Sequence, residues 1–114
     1  MNERRRQRLS TDIQHVLEEV LAREVSDKRL QYVHLTRVKL SRDGSHATLF
    51  YETTGSEEQR EEAVEAMESA RGFLRTRIAS KVSMRSTPAL SLVHDTSGEK
   101  GDRILGLIRE LEED

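Results

Sequence analysis

Apolar residues recur along this chain with two periods, and the changes of period divide it into elements. From Leu9 to about Val25 they fall at Leu9, Ile13, Val16, Leu17, Val20, Leu21 and Val25, a spacing that places them on one face of a helix. Ser26-Asp27-Lys28-Arg29 interrupts the period and ends that helix. Tyr32 to Ser41 is rich in β-branched and apolar residues, as a strand requires. Val33 and Leu35 share one parity there, and Val38 and Leu40 the other, so a bulge or twist near Thr36-Arg37 would reconcile them. Arg42-Asp43-Gly44-Ser45 carries an Asp-Gly turn signal. His46 to Thr53 then alternates, with Ala47, Leu49 and Tyr51 on one side and His46, Thr48 and Phe50 on the other. The pattern predicts a β-hairpin.

The helical period returns from Glu57 to Arg85, where Val64, Met67, Ala70, Leu74, Ile78 and Val82 recur at spacings of three and four. Ser56 suits the N-cap, with Glu57 and Glu58 favourable in the first turn. Arg71 disturbs the pattern. It lies four residues after Met67 and three before Leu74, so a straight helix sets its guanidinium in the apolar stripe, where an unpaired cation is costly unless it snorkels outwards. Gly72 beside it costs about 1 kcal/mol relative to alanine in a helix interior. A break or kink at Ala70-Arg71-Gly72 would relieve both by giving two half-helices separate phases. The alternative is one continuous helix with Arg71 at the edge of its stripe. Phe73 reads as a core residue. Thr87-Pro88 cannot continue a helix, and Ala89 to His94 reads as a third strand with Leu90 and Leu92 inward. Asp95-Thr96-Ser97-Gly98 closes it. A short last helix is predicted from about Asp102 to Leu111, with Ile104, Leu107, Ile108 and Leu111 on one face. The fold class is α+β, in the order α-β-β-α-kink-α-β, with a three-stranded sheet packed by helices on one face.

Composition narrows the function more than the fold. A chain of 114 residues is read as a single domain, 1–114. With 34% hydrophobic and 35% charged residues, its core should be small and its surface densely charged. Cysteine is absent, which removes disulfides, thiolate chemistry and cysteine zinc sites. No stretch approaches the roughly 18 apolar residues of a membrane span. The N-terminus, residues 1–8, is basic and open to flexibility, but it leads into an amphipathic helix rather than a signal region. A cytoplasmic protein is the simplest reading.

The formal net charge of −2 argues against a uniformly basic nucleic-acid binder, so the distribution of charge matters more than its sum. Arg4, Arg5, Arg6 and Arg8 form one basic cluster, and Arg71, Arg75, Arg77, Lys81 and Arg85 form another. Glu57, Glu58, Glu61, Glu62, Glu65 and Glu68 precede the second cluster, and acid returns at Glu110, Glu112, Glu113 and Asp114. Solvated faces and helix-dipole placement account for part of this reversal.

Catalytic chemistry is not legible. His15, His34, His46 and His94 have no metal-ligand spacing, and Gly98, Gly101 and Gly106 match no phosphate-binding loop. His94-Asp95 with Ser97 has the residue types of a hydrolase triad, but local turn hydrogen bonding is the simpler reading. No enzyme activity, cofactor or metal is expected.

The element order, with a break between paired helices, resembles a type II KH domain in which Ala-Arg-Gly replaces the Gly-x-x-Gly loop of RNA-clamping modules. More specifically, the chain resembles the bacterial ribosome-binding factor A family along nearly its whole length. The resemblance is carried by the basic start, Asp27-Lys28-Arg29-Leu30, Val38-Lys39-Leu40-Ser41-Arg42-Asp43 and Ala70-Arg71-Gly72-Phe73-Leu74-Arg75. It continues in Met84-Arg85-Ser86-Thr87-Pro88-Ala89-Leu90, His94-Asp95 and Gly101-Asp102-Arg103-Ile104. The family usually has proline where Lys28 stands, and the long C-terminal extension of some members has no counterpart. The resemblance implies a non-catalytic factor, monomeric when free, that binds the immature 30S subunit and its precursors. It would contact 16S rRNA and support late folding and 5′-end processing of that RNA, notably in the cold. The candidate RNA contacts are Arg4, Arg5, Arg6, Arg8, Arg37, Lys39, Arg42, Arg71, Arg75, Arg77, Lys81 and Arg85, with Ala70, Arg71 and Gly72 setting the bend. So few aromatic residues (Tyr32, Phe50, Tyr51 and Phe73) argue against a base-stacking platform. The alternative is a protein-interaction module that uses the acidic half-helix and the last helix.

Overall fold

Helix α1 spans Glu3–Arg23 in the computed structural model, which describes residues 1–96. It therefore starts well before its apolar stripe, and the basic N-terminus is helical rather than a loose arm. The cause is local. The Asn2 side chain caps the helix by accepting from the Arg5 amide at 2.8 Å, and Glu3 pairs with Arg6 at 2.6 Å one turn on. Leu9, Ile13, Leu17 and Val20 form its buried stripe. A 3-10 turn over Lys28–Tyr32 follows. Asp27 accepts from the Arg29 amide and holds its guanidinium at 2.7 Å, and Leu30 plugs into the core.

Strands β1 (Val33–Leu40), β2 (His46–Thr53) and β3 (Ala89–His94) form one mixed sheet in the order β1-β2-β3. Leu35 pairs with Tyr51 and Arg37 with Phe50, so Thr36 has no partner and forms the expected bulge. That extra residue brings Val33, Leu35, Val38 and Leu40 onto the face that packs against the helices. The hairpin turns over Arg42-Asp43, with the Gly44 amide donating to Ser41 at 3.0 Å and Gly44 at φ 75°, a conformation that favours glycine. The Asp43 carboxylate accepts from the Ser41 hydroxyl and from the amide and hydroxyl of Ser45, which lowers its pKa to about 2.

Helix α2 spans Glu57–Lys81 and returns the chain from β2 to the parallel strand β3. Ser56 and Gln59 form a reciprocal capping box at its start. The break expected at Ala70-Arg71-Gly72 is not found: one uninterrupted helix replaces the two half-helices. The physical reason is the position of the buried face, which consists of Ala63, Ala66, Met67, Leu74 and Ile78. Arg71 lies outside it, 44% exposed and paired with Glu68, so no cation needs to be relieved of burial. Gly72 is exposed as well, with open space where a side chain would stand. The helix also ends at Lys81, short of Arg85, because Val82 is extended.

The core lies between the two helices and one face of the sheet, and joins the α1 stripe and Ala47, Leu49 and Tyr51 to the buried face of α2. Leu90 is buried and Leu92 partly so, as predicted. Phe73 departs from expectation. At 42% exposure it lies outside the core, on the opposite flank of α2 from Arg71. The predicted last helix, Ser97 and the C-terminal acidic residues lie outside the described residues.

Candidate nucleic-acid interface

The structure divides the twelve sequence-predicted cations between two places. Arg4, Arg5, Arg6 and Arg8 occupy the first turns of α1, whose start lies over the β1–β2 turn: the Met1 side chain approaches Gly44 closely enough to fill the space of a β-carbon there. Beside it runs β1, an edge strand of the sheet. Glu3, Arg6 and Ser10 of α1 and Arg37, Lys39 and Leu40 of β1 line one cleft of about 260 Å³. The pleat sends Arg37 and Lys39 to the sheet face away from the helices, opposite the sense of Val38 and Leu40. Arg37 also sits 6.0 Å from the centre of the Phe50 ring on that face. Arg42 is exposed on the adjoining turn.

Seven cations thus gather at one end of the molecule, and Glu3, Asp12 and Asp43 are the carboxylates of residues 1–12 and 33–45, the stretches that carry them. Two of those three are engaged, Glu3 by Arg6 and Asp43 by serine donors. This end can neutralise phosphates along a groove bounded by a helix start and a strand edge. Gln7 and Ser10 also line it. Sequence reasoning missed these two because the helix was expected to begin only after Arg8. The Asn2 cap was the available signal.

The α2 cations are committed to the fold itself. Arg77 and Lys81 both grip Glu24, at 2.6 and 2.7 Å. The hydrogen bond from Lys81, followed by the Arg77 charge, holds the Glu24 carboxyl below its ordinary pKa. Arg75 donates to the backbone carbonyls of Thr87 and Pro88, at 3.0 and 3.1 Å, and fixes the approach to β3. Arg71 is paired with Glu68. Arg85 is exposed and makes no ion pair with another described residue. Glu24 stands eighteen residues after Arg6, so the Glu24 cluster is roughly 27 Å from the basic end along α1. The two groups do not form one site.

The carboxylates Glu57, Glu58, Glu61, Glu62, Glu65 and Glu68 are exposed along the first half of α2. No group of His, Cys, Asp and Glu among the described residues is arranged to hold a metal ion, and no helix there is long and apolar enough to cross a membrane.

Comparison with known proteins identifies the family and the fold. The family model described as Ribosome-binding factor A matches residues 5–108. A protein of that name from Syntrophomonas wolfei is 38% identical, over 100% of this chain and 95% of its own length. The crystal structure of ribosome-binding factor A from Thermus thermophilus superposes with a TM-score of 0.67 at 28% identity, covering 78% of this chain and 93% of that one. A homology model of the Thermus thermophilus protein, fitted into an electron cryomicroscopy map of its complex with the 30S subunit, gives a TM-score of 0.64 at 28% identity, with 78% and 93% covered.

Proposed function

The chain belongs to the ribosome-binding factor A family, and we propose that it is a non-catalytic assembly factor that docks on the immature 30S subunit. Its basic end would lie against 16S rRNA and support late folding and 5′-end maturation of that RNA in the cytoplasm. The observation that carries this reading is the convergence of Arg4, Arg5, Arg6, Arg8, Arg37, Lys39 and Arg42 at the start of α1 and the edge of β1. The 30S complex of the Thermus thermophilus relative supports the choice of partner.

Affinity would come mainly from phosphate neutralisation, and register from the shape of the α1–β1 cleft. Arg75, Arg77 and Lys81 take a smaller part than their number implies, because their bonds join α2 to the end of α1 and to the approach to β3, away from the basic end. If about five phosphates are engaged, log affinity falls against log salt with a slope of roughly −3.5 to −4.5.

The test is co-sedimentation of an Arg5→Glu, Arg42→Glu variant with immature small subunits across a salt series. Both side chains are exposed, so the variant should fold. The expected result is binding weakened by at least about tenfold, a salt slope shallower by about two, and 5′-extended 16S rRNA in cells that depend on the variant. Unchanged sedimentation by the folded variant would overturn the assignment of this end to RNA.

A further inference from the structure

Met1 and Phe73 are the large apolar side chains that the described residues leave exposed. Phe73 borders a cleft of about 220 Å³ between the end of α1 and the middle of α2, with Val25, Leu30, Ala66 and Ala70 supplying most of its apolar wall. That volume lies below the roughly 300–1,000 Å³ of small-molecule sites. It suits one inserted side chain, the usual form of an interface anchor.

The charges beside the cleft identify the occupant. Toward the start of α2, Glu62 follows the line of Ala66 and Ser69 one turn away, with Glu58 and Glu65 flanking it, and all three are exposed. Of the neighbouring cations, Arg29 lies 3.8 Å from Glu65 but is already held by Asp27 at 2.7 Å, and Arg60 of α2 donates to the Gly55 carbonyl at 3.1 Å. At the other end of the cleft, Glu24 occupies Arg77 and Lys81. A nucleic acid seated on Phe73 would set its phosphates against the carboxylates of α2. A cationic polypeptide would find counter-charges there.

We propose that the Phe73 cleft receives one apolar side chain from a Lys/Arg-rich polypeptide segment whose flanking cations lie on Glu58, Glu62 and Glu65. This site is separate from the basic end and binds protein rather than RNA. The molecule would thereby hold two components of an assembling particle at once.

The test uses the full chain without RNA. Backbone amide resonances are followed during titration with a short synthetic peptide that carries one leucine flanked by lysines. Its glutamate-flanked twin and an oligouridylate are titrated in parallel. The lysine peptide should shift the amides of Leu30, Ala70 and Phe73, with affinity about tenfold lower for Phe73→Ala and for a Glu62→Lys, Glu65→Lys variant. All the substituted side chains are exposed, so these variants keep the fold. The glutamate twin should leave the cleft unchanged. No shift at the cleft, binding indifferent to Phe73→Ala, equal binding of the twin, or oligouridylate occupying the cleft would each overturn the proposal. None of these results depends on subunit binding through the basic end.

Discussion

Glu24 stands at the C-terminal end of α1, where the helix dipole disfavours a negative charge. Its placement becomes favourable only through Arg77 and Lys81, which reach it from α2. The guanidinium also depends on the carboxylate, because Arg77 Nε is buried without a hydrogen-bond partner. Glu24→Gln should therefore lower stability at neutral pH without changing the fold. The pH dependence follows from the direction of the shift. The Glu24 carboxyl titrates below its ordinary value of 4.5 in the folded chain, so its contribution is fully present above that pH and is lost as pH falls through the lowered value. Urea midpoints measured from neutral pH down to pH about 3 should show the wild type and the variant converging on the acid side. A gap that stayed constant with pH would mean that the Glu24 charge does not hold the helices together.

At the scale of elements, the missing break and the exposure of Phe73 both follow from the phase of α2. The sequence stripe of Val64, Met67, Ala70, Leu74, Ile78 and Val82 places Arg71 near its middle. Burial of Ala63 and Ala66 moves the centre of the buried face by roughly 40°, which leaves Arg71 at one rim and Phe73 beyond the other. Alanines carry little hydrophobic signal, so the pattern of large residues did not reveal their weight. Gly72 then has no demonstrated part in a hinge. Gly72→Ala should stabilise the protein by about 0.5–1 kcal/mol and raise its melting temperature by a few degrees, with subunit binding retained. A lower melting temperature would show that the helix needs a glycine there. The β1 bulge was legible because parity visibly changes between Leu35 and Val38, and the hairpin because Asp43-Gly44 interrupts an alternating pattern. The start of α1 was hidden because no apolar residue stands between Met1 and Leu9, leaving the helical period nothing to mark. Seven of the candidate cations were brought to one end of the molecule by the fold, whereas the bonds of Glu24 and Arg75 join residues far apart in sequence and left no local trace.

For the whole molecule, topology separates charges that the sequence interleaves. Strand β2 runs from His46, beside the basic turn, to Thr53, and α2 begins four residues later at Glu57. The acidic start of α2 therefore lies at the opposite end of a strand roughly 26 Å long, away from Arg42 and the start of α1. A net charge of −2 spread evenly would repel RNA, and added salt would then speed association. A chain with its cations gathered at one end is steered instead, and salt slows it. The sign of the salt effect distinguishes the two cases. Stopped-flow mixing of fluorescently labelled protein with immature small subunits should give an association rate that falls by about tenfold from low to physiological salt. The Arg5→Glu, Arg42→Glu variant should flatten that dependence, because it removes the steering charge while leaving the acidic start of α2 intact. A rate that rises with salt in the wild type would mean that net charge, rather than the basic end, governs the encounter.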